Sequence, residues 1–197
     1  MIRVFCILLL CLSASGCVNL KPRADTVQQY VLGPIDAQAR TSVGEPVRGE
    51  TIYVGRPDLP GYLEGNRLQY RVETGAVHRI AGARWGEPVE EGVARALSEY
   101  LIQNGAYAES GFYPWPRQSE APRLRVRLHQ FSATGEGVIL VTAGWWIEGP
   151  EGTLAQGMFT ADDQTWQPGN AESLVRGLNQ ALQGLADAIR EQIQRVG

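Results

Sequence analysis

Apolar and polar residues alternate along several short stretches of the chain. In the clearest of them, Leu124, Val126 and Leu128 alternate with three arginines and a histidine. A period of two residues places successive side chains on opposite faces of a β-strand. Alternation, or a short β-branched and aromatic run, predicts further strands at Gln29–Leu32, Thr51–Val54, Arg67–Glu73, Ala76–Ile80, Val138–Glu148 and Thr153–Ala161.

Turn-forming residues connect two pairs of these predicted strands. Thr74 and Gly75 follow the third strand, and the sequence Gly-Pro-Glu-Gly occupies residues 149–152. Both connections predict β-hairpins.

The segment Tyr107–Pro122 is rich in proline and aromatic residues and has no regular period, so it is predicted to be irregular.

Two longer stretches carry apolar residues three and four positions apart, which predicts amphipathic helices. The first begins at Pro88 and ends before Gly105, and the second runs from Ala171 to Arg195 with Asn170 as its N-cap. Their predicted buried stripes are Val89, Val93, Ala96, Leu97, Tyr100 and Leu101 in the first helix, and Leu174, Leu178, Ala181, Leu182, Leu185, Ile189 and Ile193 in the second.

These elements predict an α+β fold. Strands with one polar face need helices on the other, which favours a two-layer sandwich of a mostly antiparallel sheet with both long helices on one face. Residues 29–197 are long enough for one domain, and we predict a single one. The strand order does not follow from the pattern.

The N-terminus has the features of an export signal. Arg3 precedes an apolar run, Val4–Leu12, that would be about 14 Å long as a helix and so too short to span a bilayer. The ending Leu12-Ser-Ala-Ser-Gly-Cys17 resembles a lipobox, although Ala14 stands where leucine is usual. We predict that residues 1–16 are removed and that Cys17 is acylated; plain secretion, with cleavage near Ala14 or Gly16, is the alternative.

Cysteine usage favours acylation. Cys6 and Cys11 leave with the signal, so Cys17 is the single cysteine of the mature chain and cannot form an internal disulfide. Residues 17–28 show no periodicity and are predicted to tether the domain; the eleven residues after Cys17 reach at most about 37 Å. Val18 and Asn19 follow the cysteine, with no aspartate in the place that resembles an inner-membrane retention signal, which favours the outer membrane.

Charge and residue content exclude several function classes. The whole chain has a net charge of −3 and no basic stripe, so nucleic acid is not an expected partner. No Gly-x-Ser-x-Gly motif occurs, and the two histidines, His78 and His129, both fall in predicted strands. Asp162–Asp163 is interpreted as a turn and Glu90–Glu91 as helix-start charges. We therefore expect no enzymatic activity, no metal and no cofactor beyond the acyl group on Cys17.

Aromatic residues beside prolines and glycines are the remaining unusual feature. Trp115 lies in the sequence Tyr113-Pro-Trp-Pro-Arg117, and Trp145 and Trp146 are adjacent in a predicted strand. One of that pair must face inward, and the other is a candidate for contact with a subunit or partner. All three tryptophans are candidate contact residues, with packing in the core as the alternative for each.

The order of several short motifs resembles a known family. The motifs are Tyr30-Val-Leu-Gly-Pro34, Ile52-Tyr-Val-Gly55, Leu59-Pro-Gly-Tyr-Leu-Glu64, Arg84-Trp-Gly-Glu-Pro-Val89 and Tyr113-Pro-Trp-Pro-Arg117. With the lipobox, this succession resembles the ABC-type transport auxiliary lipoproteins, the group that contains the PqiC (YmbA) lipoprotein. Gly86 and Glu64 depart from the alanine and aspartate common at these positions.

The resemblance implies a non-enzymatic subunit of an envelope lipid-transport system. Its implied partners are an MCE-domain protein of the inner membrane, phospholipid, the outer membrane through the acyl anchor, and further copies of the same chain as a homo-oligomer. The alternative is a structural envelope lipoprotein that binds peptidoglycan or an outer-membrane assembly machine without transporting lipid.

Overall fold

A computed structural model describes residues 26–34, 46–114, 120–161 and 164–196. Cys17 and most of the predicted tether lie outside this range. The eight strands are β1 (Gln28–Tyr30), β2 (Arg48–Val54), β3 (Arg67–Arg71), β4 (Val77–Trp85), β5 (Tyr107–Phe112), β6 (Arg123–Ala133), β7 (Ile139–Gly149) and β8 (Gly152–Thr160). The two α-helices of these ranges are α1 (Val89–Gln103) and α2 (Ala171–Val196).

The larger sheet has five strands in the order β5-β2-β6-β7-β8. Strands β6, β7 and β8 pair antiparallel, and the predicted turn at 149–152 joins β7 to β8. Strand β2 pairs parallel with both β5 and β6, so the sheet is mixed. The parallel pairing aligns the ends of β2 and β5 with the start of β6.

The smaller sheet has three strands in the order β1-β4-β3. The predicted hairpin between β3 and β4 is present, and its turn contains Gly75 with a φ of 83°. Strand β1 pairs parallel with the end of β4, where Tyr30 lies opposite Trp85. The two sheets meet just after the end of β6. There the amide of Gly135 donates a hydrogen bond to the carbonyl of Arg71, the last residue of β3.

Both helices begin and end within one residue of the predicted bounds. Pro88 precedes α1, and Gly105, with a φ of 73°, follows its end. The side chain of Asn170 caps α2 by accepting a hydrogen bond of 3.0 Å from the amide of Ser173. Every residue of the two predicted apolar stripes is buried. Helix α1 contacts β2 and β5, and α2 contacts β6, β7 and β8, so the helices cover one face of the five-stranded sheet.

The predicted fold class is confirmed as an α+β sandwich, with two mixed sheets in which β6–β8 and the β3–β4 hairpin pair antiparallel. Most predicted strand bounds agree with the structure to within three residues, and two predictions of local structure are wrong by more. Residues 107–112 of the predicted irregular segment form β5, because pairing with β2 satisfies their backbone groups. Strand β4 continues to Trp85 rather than ending at Ile80, since β1 pairs with its second half.

No helix among the described residues combines the length and the hydropathy needed to cross a membrane.

Candidate contact surface

The two adjacent tryptophans of β7 lie on opposite faces of the five-stranded sheet. Trp145 faces the helices and is 3% exposed, whereas Trp146 is half-buried on the opposite face. Alternation of side chains along a strand requires this split. Trp115 lies outside the described residues.

Trp145 is part of the core. Its indole lies against the backbone of β8 at Gly157, where an added Cβ would come within 2.9 Å of the ring atom Cζ2. Its Nε1 is buried without a hydrogen-bond partner. The side chain therefore offers no surface to a partner in this structure, and the contact hypothesis for the pair rests on Trp146.

Hydrogen bonds hold the Trp146 side chain in place on the outer sheet face. Its Nε1 donates to Oε1 of Glu148 at 3.0 Å, and Nε of Arg125 donates to the other carboxylate oxygen at 2.9 Å. Arg125 lies directly opposite Trp146 in the β6–β7 register. Glu148 thus fixes an arginine and a tryptophan next to each other.

Strand register brings further residues to the same place. Because β2 and β5 end where β6 begins, the residues that follow these two strands meet the start of β6 and the end of β7. Their side chains line a depression of about 250 Å³. We call its principal residues the Arg–Trp patch: Arg56, Tyr113, Arg123, Arg125 and Trp146.

The charged side chains at the patch form ion pairs: Arg125 pairs with Glu148, and Asp58 pairs with Arg127. The depression is lined by three arginines and one acidic residue, Asp58. Arg56 forms an ion pair with Glu90 at the start of α1, and the hydrogen bond that Arg56 donates to that carboxylate raises the pKa of Arg56. Glu90 therefore holds an arginine at the start of the helix.

A second depression of about 460 Å³ adjoins Trp146 along β7. Here Gly144 leaves a gap beneath two side chains: an added Cβ would lie 3.3 Å from Sδ of Met158 and 3.6 Å from Nε2 of His129. Met158 is 67% exposed, the highest value among the large hydrophobic residues of the described ranges. The outer face thus combines aromatic, thioether and arginine side chains.

The histidines do not lie together. His129 is on the outer face of β6, whereas His78 is on β4 with its ring 5.7 Å from the ring of Tyr70. Within the described ranges, no group of three or more His, Cys, Asp or Glu side chains is placed to hold a metal ion. Asp162–Asp163 lies outside those ranges.

A third depression, of about 580 Å³, lies on the helix side of the molecule, between residues 29–34 and the two helices. Most of its lining side chains are polar, and the apolar ones include Val31 and Val175. Sequence reasoning did not find this groove, because it forms where the N-terminal segment crosses two helices that are distant in sequence.

Sequence reasoning also missed Arg56 and Arg125 as site residues. Arg125 belongs to the polar face predicted for β6, so a signal was present, but the pattern could not show which residue of the next strand it faces. Arg56 follows the end of β2 without any local pattern. Only the parallel pairing of β2 with β6 brings it to the patch.

The chain is similar to several solved structures at low sequence identity. An uncharacterized protein known from a crystal structure has a TM-score of 0.62 and 18% identity, covering 76% of this chain and 94% of its own. A Xanthomonas campestris protein of family DUF330 has a TM-score of 0.61 and 14% identity, covering 86% and 94%. A dodecameric PelC variant from Paraburkholderia phytofirmans reaches a TM-score of 0.42 at 16% identity, covering 76% and 95%.

No curated protein matches the chain in sequence. The family model for the ABC-type transport auxiliary lipoprotein component, in contrast, matches residues 30–190, which include all the strands after β1 and most of α2. A match of this extent confirms the resemblance that the sequence motifs suggested. The chain belongs to the family of ABC-type transport auxiliary lipoprotein components.

Proposed function

We propose that this protein is an outer-membrane-anchored subunit of an MCE-linked, ABC-type system that moves phospholipid between the two membranes. The observation that carries the proposal is the family match over residues 30–190, because it extends across the folded domain rather than over one motif. In this role the protein docks the transport conduit at the outer membrane, as a homo-oligomer, and performs no chemistry of its own.

The N-terminal sequence supports the location. Acylation of Cys17 would attach the chain to a bilayer, and stable attachment needs two or more acyl chains. Strand β1 begins at Gln28, so ten residues, 18–27, connect the predicted anchor to the domain, with a reach of at most about 36 Å. The domain would then stay close to its membrane and meet a partner that crosses the periplasm.

A binding role also agrees with the surface chemistry. The outer sheet face presents Trp146, Met158 and arginines, which are side chains enriched at protein interfaces. The two histidines, the residues best suited to proton transfer near neutral pH, lie on different sheets. A non-enzymatic function is therefore part of the proposal.

The decisive experiment is co-purification. The full-length protein is crosslinked in cells, solubilised from membranes in detergent and captured. An MCE-domain protein should be recovered with it. Sedimentation with isolated peptidoglycan separates the alternative role, since a transport subunit should stay in the supernatant. Repeated absence of the MCE protein, together with sedimentation on peptidoglycan, would refute the proposal.

Replacing Cys17 by serine tests the anchor. We expect Cys17→Ser to abolish labelling by a radioactive or clickable fatty acid and to release the protein into the periplasm or leave it unprocessed, because serine offers no thiol for acylation. Cys6→Ser is the matched control. Because Cys6 belongs to the predicted signal, this substitution should leave the labelling unchanged. Continued acyl labelling of the Cys17 variant would show that the lipobox prediction is wrong.

A further inference from the structure

Strand β8 forms one edge of the five-stranded sheet, and among the described residues it pairs only with β7. The amide of Ala161 donates a hydrogen bond to the carbonyl of Val141. In an antiparallel ladder, alternate residues direct their backbone groups to the same neighbour. The N–H and C=O groups of Gln156, Met158 and Thr160 therefore point away from β7, where no strand of the described ranges pairs with them.

The side chains of β8 do not protect this edge. Exposed edge strands commonly carry charged residues or proline, which prevent pairing with another chain. The nine residues of β8, Gly-Thr-Leu-Ala-Gln-Gly-Met-Phe-Thr, contain neither, whereas the opposite edge strand, β5, carries Glu109. Leu154 and Met158 of β8 are also 48% and 67% exposed. A long, uncharged edge with exposed apolar side chains is a template for a further strand.

Most of β8 is regular enough to pair on its free side. The register with β7 is unbroken from Ala155 to Thr160, and the hydrogen bond of Ala161 continues it by one residue. The irregularity of the ladder leaves Leu154, just before this run, without an opposite residue. The midpoint of the regular run is Met158.

On the outer face, the regular run is complementary to a second copy of itself. Antiparallel pairing about Met158 would place the two Met158 side chains opposite each other, and Gln156 opposite Thr160. These three residues are exposed in the single chain. Directly opposed side chains lie close enough to interact, so the contact would cover the most exposed large hydrophobic side chain of the described ranges.

On the face toward the helices, the same pairing sets large residues against small ones. Gly157 would lie opposite Phe159 of the other copy, and Ala155 opposite Ala161. Phe159 is only partly buried against the core, and a glycine across the ladder leaves room for an aromatic ring. The residues at equal distances from Met158 are thus matched in size. This match favours a second copy over an unrelated segment, because only a copy presents the same residues in reverse order.

Helix α2 adds little bulk above this part of β8. An added Cβ at Gly184 would lie 3.2 Å from the tip of the Phe159 ring, so the helix places a glycine over that side chain. Ala188, one turn further along the same side of the helix, is also small and is partly exposed. Small residues at this side reduce the bulk between the helix layers of two paired copies.

We propose that β8 joins two copies of this chain, which pair antiparallel through residues 155–161 across a two-fold axis at Met158. The contact is isologous, since each copy contributes the same strand, and it merges the two five-stranded sheets into one continuous sheet. The inference rests on the homo-oligomeric state given under the proposed function and deepens it by naming the surface of contact.

Disulfide crosslinking of the full-length lipoprotein in cells tests the contact. Directly opposed residues of this kind have Cα atoms about 5.5 Å apart, which is within the range of a disulfide. Met158→Cys should therefore link two copies. Gln156→Cys, also exposed on β8, is the matched control, because its two copies would be about 14 Å apart. We expect the M158C dimer to be about tenfold more abundant than the Q156C dimer. The wild type, which retains Cys17, gives the background.

A double variant tests the register independently. Gln156 and Thr160 oppose each other between copies but are about 14 Å apart within one chain. Q156C/T160C should therefore form dimers, whereas Q156C and T160C alone should stay at the background level. Melting temperatures establish that each variant is folded.

Three results would overturn the inference. The first is a dimer of Q156C as abundant as that of M158C, which would show that the register is wrong. The second is the absence of dimers above background in both M158C and Q156C/T160C when these variants are folded. The third is a disulfide between M158C and a different protein in place of the dimer, which would identify a foreign strand as the occupant of the edge.

The same cells separate this inference from the transport role. A specific M158C dimer without recovery of an MCE-domain protein would support the β8 contact and count against the transport role. Recovery of the MCE-domain protein, with M158C and Q156C/T160C both at background, would support the transport role and refute the β8 contact.

Discussion

Gly177 allows α2 to lie directly on the sheet. A Cβ at this position would come within 2.7 Å of Cγ1 of Ile139, a contact that real side chains do not make. Seven residues further along the same helix, a Cβ at Gly184 would lie 3.2 Å from the tip of the Phe159 ring. The helix packs more closely at its first turns than at its middle.

This difference predicts the effects of two substitutions. Gly177→Ala should lower the free energy of unfolding by about 1–3 kcal/mol, because overpacking against Ile139 outweighs the higher helix propensity of alanine. Gly184→Ala, its control in the same helix, should change the stability by less than about 1 kcal/mol. Urea denaturation measures both, and a stabilised G177A variant would mean that α2 lies further from the sheet.

Two buried tyrosines make the stability of the fold sensitive to alkaline pH. Burial raises the pKa of Tyr100 and of Tyr107 to about 12. In the unfolded chain a tyrosine ionises at about pH 10. Between these values the unfolded state loses protons that the folded state retains, so the stability falls as the pH rises.

We therefore expect the free energy of unfolding to be insensitive to these tyrosines below about pH 10 and to decrease between about pH 10 and pH 12. The double variant Y100F/Y107F should show a shallower decrease, because phenylalanine cannot ionise. Denaturation curves across this range provide the measurement. An identical slope for the wild type and the double variant would show that the two hydroxyls do not contribute.

At the scale of elements, the helices were the easiest to predict. Their apolar stripes come from a local period, and every residue of both stripes is buried. Strand β5 was missed because its sequence, Tyr-Ala-Glu-Ser-Gly-Phe, has no clear alternation and it forms by parallel pairing with β2, more than fifty residues earlier. A local pattern cannot report a hydrogen-bonding partner so distant in the chain.

The helix faces lead to a stability prediction. Leu97 of α1 and Leu182 of α2 are both 0% exposed. Replacing either one with alanine should cost about 2–5 kcal/mol, through lost burial and the cavity left behind. Ile102, at the partly exposed side of α1, is the control and should cost less. Thermal or urea unfolding gives the values; a loss below about 0.5 kcal/mol at Leu97 or Leu182 would mean that the helix faces are assigned wrongly.

At the scale of the whole molecule, Arg95 connects the N-terminal segment to the helix layer. Its Nη2 donates to the carbonyl of Leu32 at 2.7 Å, and its guanidinium pairs with Glu87 and Glu99. The hydrogen bond to Glu87 is the main cause that raises the pKa of Arg95. On the other helix, Asn179 accepts a hydrogen bond of 2.8 Å from the amide of Gly33. The N-terminal segment, residues 28–34, is thus held at two points.

Arg95→Met should therefore loosen this segment without changing the rest of the fold. We expect faster amide hydrogen exchange in residues 28–34 and a loss of about 1–3 kcal/mol, since a hydrogen-bonded, partly buried charge is removed. Arg176→Met removes an exposed pair on α2 and should cost less than about 1 kcal/mol. Unchanged exchange in residues 28–34 of the R95M variant would contradict the role given to Arg95.

The sequence by itself determined the features that depend on residues close together in the chain. The period of apolar residues predicted both helices and most strands, and the motifs from Tyr30 onward indicated the family that the match over residues 30–190 confirms. The acyl anchor at Cys17 and the absence of catalysis remain predictions from the sequence, each with a physical reason and a test.

The tertiary structure decided the features that depend on residues far apart in the chain. Alternation required one of Trp145 and Trp146 to face inward, but the side of β7 that the helices cover determined which one. The Arg–Trp patch likewise exists because parallel and antiparallel pairing bring the ends of four strands together. A local period fixes the direction of a side chain relative to its own strand, whereas its neighbours across the sheet are fixed by long-range pairing.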